Sequence, residues 1–113
     1  MISEIRSVED IHELALRELC ITSFEAANKT IKFRSPLLAC EKLDEETDSL
    51  FVVEIPELDV LVFSDNQADM YPLLCYELAN KWEWIVCAQD EDLTPRAAEV
   101  KKTFLSLVES EVK

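Results

Sequence analysis

A nucleophilic cysteine or serine needs a base within hydrogen-bond reach, and this 113-residue sequence holds one imidazole, that of His12, to supply it. His12 falls on the polar side of a possible helix with no motif around it, and it reads as a surface histidine. Cys20, Cys40, Cys75 and Cys87 are scattered, with no C-x-x-C pair that could seed a zinc shell. Each lies in an apolar stretch, where a free cysteine packs as a small hydrophobe, so buried thiols are expected ahead of disulfides. Paired carboxylates could do acid–base work, but with 24 acidic residues their proximity in sequence carries little information. The runs Asp44–Asp48 and Asp90–Asp92 lack calcium-loop spacing with its turn glycine and read as solvated turns.

Glycine is absent altogether, where average usage of ~7% would give about eight. Phosphate-cradling loops and the dinucleotide fingerprint need glycine so that the backbone can approach a phosphate closely. The expectation is therefore a non-enzymatic protein with no catalytic residue, no cofactor and no metal. Left-handed positions must fall to Asn and Asp, with Asn28, Asp44, Asp48, Asp65 and Asn66 as candidates.

The net charge is −13, from 24 acidic and 11 basic residues. Nucleic-acid binding draws on clustered Lys and Arg, so direct contact with a phosphate backbone is disfavoured. An acidic surface draws in basic proteins, although it also serves solubility alone. The acidic start reads as no signal peptide, and no apolar run approaches the ~20 residues of a membrane span. A cytoplasmic protein without membrane contact is expected.

The chain length suits one domain, 1–113. Residues 7–18 could form a helix capped by Ser7, with Val8, Ile11, Leu14 and Ala15 on one face. Residues 19–24 and 30–34 read as a hairpin about Asn28-Lys29. Pro36 should interrupt, and 37–43 should resume as a strand before the acidic turn. Residues 50–55 and 60–63 are further strands joined by a short connection, and their nearly continuous apolar character suggests burial on both faces. Met70, Leu74, Leu78, Trp82 and Ile85 then mark one stripe of a helix over 68–87, although 84–88 could also form a strand. Thr94-Pro95 starts a last helix to about 109 with Ala97, Val100, Phe104, Leu107 and Val108 buried. The fold class is α+β: an antiparallel meander of four or five strands, packed by two C-terminal helices.

Trp82 lies on the central stripe, whereas Trp84, two positions on, projects well off it. Phe51, Tyr76 and Trp84 are the candidate partner-binding residues, since aromatics dominate interface energetics. The alternative is that both tryptophans cover the sheet from different sides.

The segment 37–78 resembles the HicB-type antitoxin domain, a small α+β module with a partial RNase H-like sheet. The likeness lies in a strand ending at an acidic turn, then Phe51-Val52-Val53-Glu54-Ile55-Pro56-Glu57-Leu58, a strand reaching Ser64-Asp65-Asn66, and a helix. The family's two glycines, and the usual Gly-Gly before Leu50, are missing here. The resemblance implies an antitoxin-like module that neutralises a small basic HicA-type toxin, for which an acidic surface would speed capture. Typical members carry a separate DNA-binding segment after this module, where only 94–113 remains here. The different-class alternative is an accessory or structural subunit of a homo-oligomer.

Overall fold

A computed structural model describes residues 17–44, 46 and 49–112. The expected helix at 7–18 and His12 fall outside them, apart from Arg17 and Glu18, which are strand. Five strands form one antiparallel sheet: β1 (Arg17–Ala26), β2 (Lys29–Leu43), β3 (Phe51–Ile55), β4 (Val60–Ser64) and β5 (Val108–Val112). Two helices, α1 (Met70–Lys81) and α2 (Pro95–Leu107), pack on one face. The fold is α+β, as the sequence pattern requires.

The hairpin turns one residue earlier than expected. Ala27 and Asn28 both take positive φ, 54° and 64°, which are the signs that a two-residue hairpin turn of the right twist demands. Asn tolerates this region; Ala, with its Cβ against the carbonyl, does so at a cost. Asp59, at φ 57°, is the third left-handed residue among those described and ends the short 3₁₀ turn Pro56–Leu58. Asn66 is extended instead and caps the next turn, its side chain accepting from Ala68 N.

Pro36 does not end a strand, contrary to expectation. β2 runs through it because the pairing with β1 shifts there: Ile21 faces Leu37, while Ser23 faces Lys32. The surplus residues of β2 carry Pro36 past β1 without a ladder bond that its missing N–H would break. The same stretch divides the other edge of β2. Its first half pairs with β5, Thr30 facing Val112, and its last residues pair with β3, Leu43 facing Phe51. β5 was not expected, since Val108 extends the apolar stripe of α2. The helix instead stops at Leu107, and Val-Glu-Ser-Glu-Val takes up the free edge of β2, with Lys29 Nζ 3.2 Å from Glu111.

Alternation along the strands selects the core face. Leu19, Ile21, Phe24, Ile31, Phe33, Val53, Ile55, Val60 and Val62 are buried against Met70, Leu74, Leu78 and Trp82 of the first helical segment. Val100 and Phe104 of α2 join them. Phe24, Phe33, Trp82 and Phe104 meet at centroid distances of 5.6–6.4 Å. Such pairs contribute about 0.5–1.5 kcal/mol each beyond the area they bury. Past Lys81 the helix continues as a π-helical turn, Trp82–Val86, so the segment 84–88 is not a strand. Glu83 of this turn accepts from Ala27 N at 3.2 Å and ties the hairpin to the helix.

Among the described residues one buried polar side chain interrupts this core. Glu41 of β2 is fully buried; its Oε2 accepts from Arg17 Nε at 3.0 Å and from the Gln67 side chain. Arg17 also donates to the Gln67 carbonyl at 2.9 Å. These three residues join β1, β2 and the turn that leads into α1.

The opposite face of the sheet is open among the described residues. β3 and β4 are thus buried on one side only, not on both: Leu61 and Phe63 of β4 are 52% and 59% exposed, and Leu38 of β2 is 56% exposed.

Candidate functional site

Among the described residues the order β1-β2-β3-β4 leaves β1 at one margin of the sheet. α1 crosses the core face with its stripe Met70, Leu74, Leu78 turned inward. The helical positions beside that stripe, Tyr71, Cys75 and Ala79, are consequently set over the free margin of β1. Between them lies a groove of about 450 Å³, walled by Ser23, Phe24 and Glu25 on one side and by Tyr71, Cys75 and Tyr76 on the other.

Tyr76 is 66% exposed and forms a ridge between this groove and a second of about 470 Å³, lined by Glu77, Asn80, Lys81, Trp84 and Ile85. Trp84 is 77% exposed, whereas Trp82 is buried among the core aromatics. The two-residue offset on the helix accounts for the contrast. Tyr76 and Trp84 therefore share one surface. Phe51 does not: it is half-buried, packs against the core at the far end of β3 and faces Ser64.

Tyr71 and Cys75 lie one helical turn apart and line the same groove. Burial pushes the Cys75 thiol up from its ordinary range, with the Tyr71 hydroxyl pulling in the other direction. Burial and the neighbouring thiol both raise Tyr71. A thiol held protonated is a poor nucleophile. Cys20, Cys40 and Cys87 are free and exposed, so the expectation of buried thiols fails for them. They occupy the outward positions of β1 and β2 and the end of the π turn.

Among the described residues no group of three His, Cys, Asp or Glu side chains could hold a metal ion. Asp90 is instead engaged by Lys101, whose Nζ lies 2.7 Å from its carboxylate and 2.9 Å from the Ala88 carbonyl. Among these residues, too, no helix is long and apolar enough to cross a membrane.

Tyr71, Cys75 and the margin of β1 were not among the candidate binding residues read from the sequence, where Cys75 was expected only as a buried thiol. The signal for the first two is present, because 71, 75 and 79 form the stripe next to the core stripe 70, 74 and 78. The charges of β1, Arg17, Glu18 and Glu25, suit a marginal strand but equally suit any strand with one exposed face. No protein-family model matches this chain, no curated protein matches it, and no solved structure matches its fold.

Proposed function

We propose that this protein is a non-enzymatic, cytoplasmic binding module, antitoxin-like in action, that captures a small basic partner protein. The observation that carries the reading is the exposure of Tyr76 and Trp84 on one shared groove, with Tyr76 also walling a groove along the margin of β1, which is unpaired among the described residues. Tyrosine and tryptophan are the side chains most often found at interface hot spots. A groove between a marginal strand and a helix is the setting in which an extended segment adds to a sheet, main-chain bonds supplying affinity and pockets specificity. Glu25, Glu77 and Glu83 flank the aromatics, and the chain carries a net −13. This favours a Lys- and Arg-rich segment and speeds its encounter.

The test is co-expression with a small basic protein encoded beside this chain, followed by co-purification and titration. Retention of that protein by the wild type is expected, with Tyr76→Ala or Trp84→Ala weakening it about 30-fold or more, the size of a hot-spot loss. Failure of the neighbour to bind, or binding unmoved by both substitutions, would overturn the reading.

A further inference from the structure

We infer that β4 is a homotypic edge through which two copies of this chain pair into one continuous sheet. Among the described residues β4 pairs with β3 alone, so its other margin is unclaimed. Its sequence is Val-Leu-Val-Phe-Ser, and of the five strands it is the one without a charged residue. That stands out in a chain where 31% of residues are charged. Soluble proteins guard exposed strand edges with lysine or other charges, proline, bulges or a covering loop. The opposite margin follows that rule, since β1 carries Arg17, Glu18 and Glu25. β4 has no charge, no proline and no register shift against β3.

The charge pattern also selects the occupant. A basic partner gains no attraction from a charge-free strand and is drawn to the acidic surface elsewhere. Two copies each bearing −13 repel one another; the five residues of β4 add no charge to that repulsion, while Asp59 and Asp65 oppose one another at either end, so the pairing should strengthen with added salt. Antiparallel self-pairing centred on Val62 uses all five residues, with Leu61 opposite Phe63 of the second copy and the reverse. Both side chains lie on the open face, more than half exposed. Each row then extends an existing one: Lys42, Val52 and Phe63 already stand in line across β2, β3 and β4. Cross-strand pairs of this kind are the unit of sheet stabilisation. The groove walled by Ser23, Phe24 and Glu25 lies on the β1 margin, so a dimer built through β4 leaves it free.

A five-residue strand contact is small beside the ~800 Å² per partner of a standard interface, so the pairing should depend on concentration. Sedimentation equilibrium on the full chain, taken up to about 1 mM, the weak end of specific association, should show a rise from 13.0 kDa toward twice that mass. Leu61→Lys and Phe63→Lys should each remain at monomer mass with an unchanged circular dichroism spectrum. In the wild type, amide exchange in β4 should slow as concentration rises. A wild type that stays monomeric throughout, assembly beyond a dimer, or dimers that persist in both lysine variants would each overturn the proposal. Because neither lysine lies on α1 or β1, loss of pairing with partner binding intact separates this interface from the proposed partner site.

Discussion

Arg17→Met should destabilise the protein by about 3 kcal/mol, and the same change should cost almost nothing once Glu41 is replaced by leucine. The Glu41 carboxylate is fully buried on the central strand, and its partners are Arg17 and Gln67. Removing one partner of a buried pair leaves a charge in low dielectric and typically costs ~3–5 kcal/mol. The lower end applies because the Arg17 side chain is itself about two-fifths exposed. Replacing a buried pair by apolar groups of similar volume is by contrast often neutral or stabilising. Glu41→Leu should accordingly fall within about 1 kcal/mol of the wild type or be more stable, the half-buried Gln67 turning its amide to water. Its Oε1 already lacks a partner among the described residues, so that oxygen gives up no hydrogen bond on removal. Urea unfolding of the wild type, both single variants and the double variant closes the cycle. With a slope of about 1.5 kcal/mol per molar, in the range usual for small domains, Arg17→Met should lower the midpoint by about 2 M. Equal midpoints for Arg17→Met and the wild type would refute the account, as would a Glu41→Leu cost as large as that of Arg17→Met.

Other outcomes follow from single features. Trp82→Ala should cost about 3–5 kcal/mol by the same urea assay, because its ring is buried between Phe24 and Phe104. Trp84→Phe should leave the fold intact and remove the acrylamide-quenchable part of the emission, since Trp84 is the exposed indole. Ala27→Gly relieves a left-handed alanine worth ~1–2 kcal/mol, offset by ~0.5–1 kcal/mol of added chain entropy; a small rise in thermal midpoint is expected. Under native conditions Cys75 should be the slowest thiol to react with a disulfide reagent, behind Cys20, Cys40 and Cys87. Its raised folded pKa also fixes the sign of its linkage. The folded state holds the proton more tightly, so this contribution is full below the unfolded thiol's ~8.5 and declines as pH rises past it. Stability of Cys75→Ser should lack that decline.

Periodicity over a long segment was readable without tertiary information. The stripe through Met70, Leu74, Leu78 and Trp82 is the buried side of α1, and the Thr94-Pro95 start of α2 is real, with Thr94 Oγ1 accepting from Ala97 N at 3.1 Å. What escaped was set by partners far away in sequence. Val108 suits a helix stripe and a strand equally, and only the vacant edge beside Thr30–Phe33 decides for strand. Pro36 obeys its local rule, yet the register shift against β1 removes the conflict. The apolar runs of β3 and β4 predicted two covered faces because composition cannot say which side lacks a neighbour. The groove at Tyr71 and Cys75 was hidden for the same reason: it exists because β1 has no strand beyond it among the described residues.

The pairing of β5 with the start of β2 also has a consequence in time. Ribosomes add about 5–20 residues per second, so the first half of β2 is made several seconds before the segment Val108–Val112 that covers its edge. Throughout that interval the hairpin can form from residues close in sequence while Thr30–Phe33 presents an incomplete ladder. In a crowded cell the nascent hairpin is then most open to pairing with a neighbouring nascent chain. Slow codons placed between residues 34 and 107 should lower the soluble yield, and the same codons placed before residue 29 should not.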